Sequence, residues 1–152
     1  MSDVWKQIAI HPVGGIVQVG YAENSDLILV LSHNGRGIFD CLTGQKIARD
    51  RNDYFEFFDE STLVAKGFEQ LNELEIKTAG LFGGNLSKST QDGWTLSIKR
   101  LNGMIDEVYL SSKEDEIFIE NDEVSEIRAF GFSNTGKSFV VATTSDLTIF
   151  SR

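Results

Sequence analysis

The sequence has few of the residues that make covalent crosslinks or bind metal ions. Among its 152 residues there is one cysteine, Cys41, and there are two histidines, His11 and His33. A single cysteine excludes an intramolecular disulfide, and no signal peptide is apparent, so the expected compartment is the cytoplasm. Three such side chains cannot complete a zinc site without carboxylates. We therefore expect no metal and no cofactor.

Positive charge and long apolar runs are also scarce. The chain has 14 Lys and Arg against 23 Asp and Glu, which gives a formal net charge of −9. Proteins that grip phosphate need Lys and Arg to displace counterions, so nucleic acid is a poor partner for this chain. The longest uninterrupted apolar runs, such as residues 27–31, fall far short of the roughly 18 residues of a membrane span, so no membrane partner is expected. A composition of 41% hydrophobic residues is ample for one domain core over residues 1–152.

The apolar residues form short runs rich in Val, Ile and Phe, which Gly, Asn, Asp and Ser interrupt about every ten residues. This pattern predicts an all-β, mainly antiparallel fold. A four-stranded meander is predicted within residues 16–49, with tight turns at Asn34–Gly35 and Thr43–Gly44. A similar unit is predicted within residues 126–150, around the turn Asn134–Gly136.

The middle of the chain is less regular. Three short alternating strands are predicted at residues 94–99, 107–110 and 116–120. Residues 61–74 carry the only helix signals, and Gly67 limits them to one or two turns. The glycine-rich residues 79–94 predict an ordered loop that Leu81, Phe82 and Trp94 attach to the core.

The two meander segments resemble blades of a WD-type β-propeller, in which a strand, a Ser-Asn-Gly type of turn, a strand of small residues and an Asp-led strand follow in order. The Trp-Asp dipeptide is missing. At about 40 residues per blade, 152 residues give fewer than the four blades that closure needs. The expected architecture is therefore blade-like meanders in an open or partly closed sheet, or a β-sandwich, with at most one short helix.

One segment matches a phosphate-binding motif. Residues 131–138 read G-x-x-x-x-G-K-S, but the residues that follow are Phe-Val-Val-Ala-Thr-Thr, which disfavour the helix that such a loop must open. Only 14 residues remain after the motif, too few for the rest of a nucleotide-binding unit. A hairpin turn is therefore the expected structure.

Two other features have a structural and a chemical interpretation. Cys41 ends an apolar stretch and is expected to be a core residue rather than a nucleophile. Arginines and aspartates alternate beside two turns, at Arg36, Asp40, Arg49, Asp50, Arg51 and Asp53. They would either recognise an anion or pair with one another between neighbouring hairpins, and the pairing is favoured.

Negative charge is concentrated between residues 106 and 126. The segment contains a single base, Lys113, and nine carboxylates: Asp106, Glu107, Glu114, Asp115, Glu116, Glu120, Asp122, Glu123 and Glu126. Such a run protects a sheet edge from aggregation, or it docks a basic partner by charge complementarity. For docking, the candidate contacts are the first eight of these carboxylates together with the aromatic residues Tyr109 and Phe118.

Five short segments resemble small, acidic, β-rich bacterial immunity proteins of contact-dependent inhibition and related polymorphic toxin systems; they are residues 32–40, 43–44, 48–50, 79–84 and 90–94. The resemblance implies stoichiometric binding to a cognate toxin domain and brings no catalytic residues.

The charge leads to the same hypothesis independently. A toxin domain that cuts nucleic acid is typically basic, and an acidic inhibitor can occupy its groove as a phosphate mimic. Two alternatives stay open. One is a small carboxylate-dependent hydrolase, which requires a concave pocket with a strongly shifted acid. The other is a non-catalytic β interaction module, which requires an exposed apolar edge.

Overall fold

The computed structural model describes residues 4–152, and its regular structure is almost entirely antiparallel β-sheet. Two single-turn 3-10 helices, Tyr54–Phe57 and Glu69–Leu71, are the helical elements of this part of the chain. The strands are β1 (Lys6–Pro12), β2 (Ile16–Tyr21), β3 (Leu27–Ser32), β4 (Gly35–Asp40), β5 (Gln45–Asp50), β6 (Phe58–Asp59), β7 (Val64–Lys66), β8 (Glu75–Lys77), β9 (Ala79–Gly80), β10 (Thr95–Leu101), β11 (Ile105–Ser111), β12 (Glu116–Asn121), β13 (Ile127–Phe132), β14 (Ser138–Thr143) and β15 (Asp146–Ser151). The all-β prediction is confirmed.

The strands form four sheets, and over residues 4–152 none of them closes into a barrel. Sheet I has the order β5-β4-β3-β2-β9 and contains the predicted meander. Sheet II is β6-β7-β8, sheet III is β10-β11-β12, and sheet IV is β1-β15-β14-β13. The first strand therefore pairs with the last, an association between the two ends of the chain for which the sequence gives no local signal.

The sheets stack face to face in the order III, IV, I, II, with an apolar cluster in each of the three interfaces. Alternate residues of β14 take part in two of these clusters: Phe139 packs toward sheet III, and Val140 packs toward sheet I. Strand β3 does the same, since Val30 faces sheet IV and Leu31 faces sheet II. Burial of both faces explains why β3 and β14 are continuously apolar instead of alternating.

The connection from sheet II to sheet III runs along the edges of the two middle sheets. Within it β9 pairs with β2, and Ser87 forms a bridge with Phe132 of β13. Gly131 allows this close approach, because a Cβ atom at that position would lie 2.2 Å from the Cβ of Leu86. Leu86 is buried in the cluster between sheets I and IV.

The predicted attachment of this loop is only partly correct. Trp94 packs against the cluster between sheets III and IV, as expected. Leu81 is 51% exposed, however, and Leu86 takes the core position instead. Phe82 lies at the surface with its ring centroid 5.6 Å from that of Phe58. The glycines around residues 80–84 carry the chain outward before it returns to the core, which spacing alone does not show.

The helix signals at residues 61–74 correspond to one 3-10 turn, Glu69–Leu71, within the predicted one or two turns. No helix within residues 4–152 is long and apolar enough to cross a membrane.

Candidate partner-binding surface

The match to a phosphate-binding motif is a hairpin turn, as predicted. The turn joins β13 to β14, and a strand follows it where a nucleotide site would need a helix. Its hydroxyls are used internally: Thr135 Oγ1 donates to the carboxylate of Asp26 at 2.8 Å, and Ser138 Oγ donates to the same carboxylate at 2.6 Å. These hydrogen bonds link the turn of sheet IV to the turn before β3 in sheet I.

Cys41 is a core residue and is fully buried between sheets I and IV. Burial raises the pKa of its thiol to about 12, and the nearby carboxylates of Asp26 and Asp40 act in the same direction. The thiol is therefore protonated at neutral pH and is a poor nucleophile.

Of the six charged residues predicted to pair beside the two turns, Arg36 and Asp50 do so, across β4 and β5 of one hairpin. Asp40, Arg49, Arg51 and Asp53 are in none of the ion pairs found within residues 4–152. The guanidinium of Arg36 donates to Asp50 through Nε, at 3.1 Å, and through a second, shorter contact from Nη2. Its Nη1 donates to the carbonyl oxygen of Lys66 at 2.9 Å, and its plane lies 3.6 Å from the ring centroid of Phe57 and 4.4 Å from that of Phe68. Each of its three nitrogen atoms donates to an acceptor within the protein and the side chain is buried, so Arg36 is a poor site for an external anion.

Sheet III places the predicted contact residues on two different faces. Leu96, Val108 and Leu110 point into the cluster with sheet IV. Because side chains alternate along a strand, Glu107 and Tyr109 point away from that cluster. Tyr109 lies directly opposite Phe118 of β12. We call the surface formed by Lys99, Glu107, Tyr109, Glu116 and Phe118 the outer face of sheet III.

The centre of this outer face is an aromatic pair. The rings of Tyr109 and Phe118 are 5.8 Å apart at an angle of 73°, and Phe118 is 48% exposed. The hydroxyl of Tyr109 donates to Glu107 at 2.9 Å, which raises the pKa of the phenol. The ammonium of Lys99 lies 4.5 Å above the ring of Tyr109 and also pairs with Glu116. The aromatic rings therefore have a rim of both charge signs.

Several carboxylates of the acidic run have cation partners. Asp106 shares a face with Val108, opposite to Tyr109, and accepts two hydrogen bonds from Arg100, at 2.8 and 3.0 Å. This contact holds the pKa of Asp106 below its usual range. Ion pairs also join Glu116 to Lys99 and Glu126 to Arg128. The local field is therefore weaker than nine carboxylates against one lysine would produce.

Four of the six carboxylates outside these ion pairs lie at the two ends of β12. Glu114 and Asp115 belong to the turn before it, where their backbone N–H groups donate to Ser112 Oγ. Asp122 and Glu123 follow the strand, and Asp122 accepts from the backbone N–H of Asp106 at 2.8 Å. At about 3.3 Å per residue, the two acidic ends are roughly 20 Å apart.

Glu120 does not lie on the outer face. The pairing of β11 with β12 shifts register between Val108 and Tyr109, so that Glu120 opposes Val108 on the inward side. Partial burial raises the pKa of Glu120 to about 7, and the nearby charge of Asp146 adds to this effect. A hydrolase would need such a shifted acid at a concave site. Neither Glu120 nor Asp146 lines the hollows on sheet II or the hollow around Asp92 and Arg152.

Within residues 4–152, no three His, Cys, Asp or Glu side chains are arranged to hold a metal ion.

The structure also contains a feature that the sequence interpretation missed. The segment 53–60 consists of aromatic and acidic residues, and its Phe57 and Phe58 line a groove on sheet II.

Neither the comparison with protein-family models nor the comparison with curated proteins finds a match for this chain.

Proposed function

We propose that this protein binds a basic protein domain through the outer face of sheet III and thereby neutralises it, as an immunity protein does with a nuclease toxin domain. The observation that carries the proposal is the aromatic pair of half-buried Tyr109 and exposed Phe118 at the centre of a charged surface. Interfaces gain most of their affinity from a few central aromatic or arginine residues surrounded by a polar rim.

The position of the charges supports the same proposal. The two unpaired acidic ends, Glu114–Asp115 and Asp122–Glu123, lie on either side of the aromatic centre along β12. A basic domain that covers the centre would bring its cations to both ends. Charges at the rim of an interface mainly accelerate association, whereas buried aromatic anchors mainly slow dissociation.

The experiment uses the basic domain encoded by a neighbouring gene, with affinity and rates measured at increasing salt concentration. Phe118→Ala is expected to raise Kd by at least about tenfold, mainly through faster dissociation. Leu42→Ala is the matched control, because Leu42 is also an exposed apolar residue, at 45%, but lies in the turn between β4 and β5 of sheet I. Equal affinities for these two variants would refute the outer face of sheet III as the binding surface.

The charged ends are tested separately. The double variants Glu114→Gln/Asp115→Asn and Asp122→Asn/Glu123→Gln each remove two negative charges and keep side-chain shape. We expect slower association and a shallower dependence of affinity on salt in both. If neither variant changes the salt dependence, these carboxylates are not part of the interface.

A further inference from the structure

The side of the molecule formed by sheet II contains a groove that the proposed interface does not use. Two adjoining hollows, of about 420 and 410 Å³, share the lining residues Phe57, Lys66 and Glu75. The other apolar side chains along the groove are Phe58, Val64, Phe68 and Leu74. Leu74 is 45% exposed, so the groove offers an apolar surface to a partner.

The groove also carries an excess of negative charge, which is only partly compensated by Lys66 opposite Glu75. Four carboxylates line it, namely Glu56, Asp59, Glu73 and Glu75. None of them belongs to the ion pairs found within residues 4–152, in contrast to Asp106 and Glu116 of sheet III. Two basic residues line the groove, Arg36 and Lys66. The charge of Arg36 is compensated by Asp50, so Lys66 supplies the positive charge at the surface of the groove.

Aromatic walls with unpaired carboxylates favour one side chain in particular. A guanidinium stacks on aromatic rings and forms two parallel hydrogen bonds with a carboxylate, whereas an ammonium is more strongly hydrated and binds as a point charge. Arg36 already packs against Phe57 and Phe68, which shows that rings in this region accept a guanidinium. Both rings are only partly buried, so a second guanidinium would use the surface that remains exposed.

We propose that this groove docks an arginine-bearing extended segment of the basic partner. The inference rests on the proposed function for the identity of that partner, and it adds a second contact on a different sheet. Sheets III and II are the two ends of the stack, so the segment must extend about 30 Å past the two middle sheets. With that reach, the second contact would increase the overall affinity through effective concentration. The groove would select arginine, and the outer face of sheet III would select a folded surface.

The test uses a fluorescently labelled peptide of alternating glycine and arginine, and a matched glycine–lysine peptide, with binding to the whole protein followed by anisotropy. The arginine peptide is expected to bind more tightly. Glu73→Gln/Glu75→Gln should weaken its binding about five- to tenfold. The control Asp40→Asn/Glu126→Gln removes the same number of charges at positions outside both proposed surfaces and should weaken it less than about twofold.

A second pair of variants tests the apolar surface. Leu74→Ala should weaken binding about three- to tenfold, whereas Leu101→Ala, which truncates a leucine of similar exposure (46%) on sheet III, should not. Thermal unfolding of each variant checks that it is folded.

Equal losses in the two charge variants, equal affinities for the arginine and lysine peptides, or no measurable binding would overturn the groove proposal. The peptide assay does not involve the basic domain. A negative result in the peptide assay therefore does not bear on the outer face of sheet III, which the affinity of Phe118→Ala for the basic domain tests separately.

Discussion

Replacing Glu120 with glutamine is predicted to stabilise the folded protein at pH 8 and to leave its stability nearly unchanged at pH 5. Glu120 lies on the inward side of β12, where partial burial and the charge of Asp146 raise its pKa from 4.5 to about 7. The folded protein therefore holds this proton more tightly than the unfolded chain does. As a consequence, the free energy of unfolding falls as the pH rises from about 4.5 to about 7.

The size of the effect follows from the shift. A pKa difference of this size corresponds to at most ~3 kcal/mol. Glu120 is only partly buried, so solvent screening reduces the expected cost of ionisation to about 1–2 kcal/mol. Glutamine has nearly the same shape as the protonated acid and does not ionise. The variant should therefore escape this cost above pH 7 and gain nothing below pH 5.

Urea unfolding of both proteins at pH 5, 6, 7 and 8 measures the difference directly. Glu114→Gln is the control, because it makes the same substitution in an exposed turn of the same sheet. Asp146→Asn should reduce the effect of Glu120→Gln, since it removes the neighbouring charge. A stabilisation of the same size at every pH would show that the proton on Glu120 is not its cause.

Three further substitutions test the packing of the sheets, each by urea unfolding at neutral pH. Arg36→Ala should cost about 3–5 kcal/mol, because it leaves the carboxylate of Asp50 without its cation; a loss below about 1 kcal/mol would mean that the pair is not buried in solution. Gly131→Ala should cost about 1–3 kcal/mol, because the new Cβ meets Leu86, and an unchanged stability would place the connecting segment elsewhere. Phe139→Ala should cost about 3–5 kcal/mol through the cavity left between sheets III and IV, and a small loss would contradict the stacking order.

The pH dependence of Arg36 and Asp50 gives one more check. Burial alone would raise the pKa of Asp50, but hydrogen bonds from the backbone N–H of Asn52 and from Arg36 hold it below its usual value. This pair therefore contributes stability above the ordinary pKa of an aspartate, and the contribution is lost as the pH falls below it. Arg36→Ala should flatten the acid side of the stability profile, and an unchanged profile would contradict this assignment.

The strands β2–β5 and β10–β15 could be predicted because their sequence signals are local, whereas β1 and the short strands β6–β9 were not predicted. Turn dipeptides such as Asn34–Gly35 and the alternating residues of β13 identify antiparallel strands without further information. The stacking order could not be predicted, because β3 and β14 are apolar on both faces and the sequence does not say which sheet covers each face. The pairing of β1 with β15 is equally invisible, since it joins residues more than 130 positions apart.

The acidic surface shows where sequence reasoning ends. Counting charges within residues 106–126 missed Lys99 and Arg100, which lie outside that segment but face it across the sheet. Strict alternation would put Glu116, Phe118 and Glu120 on one face. The register shift in β12 turns Glu120 inward, and a bulge of one residue leaves no clear signal in the sequence.

The groove on sheet II had a signal that was not used. The sequence Asp-Tyr-Phe-Glu-Phe-Phe-Asp-Glu at residues 53–60 concentrates four aromatic residues and four carboxylates. The run 106–126 has more charge, but it is poorer in aromatic residues. Weighing aromatic anchors together with unpaired charge would have identified both surfaces, because affinity comes mainly from anchors and specificity mainly from charge.

The most direct test of the account is a titration of nuclease activity. A fixed concentration of a basic nuclease domain encoded beside this gene, the partner that the proposal requires, is mixed with increasing amounts of this protein, and the cleavage rate of a nucleic-acid substrate is recorded. If the outer face of sheet III covers the active site of that domain, activity falls linearly and is lost near a one-to-one ratio, and Phe118→Ala requires a large excess. Full cleavage at a several-fold excess of the intact protein would contradict it.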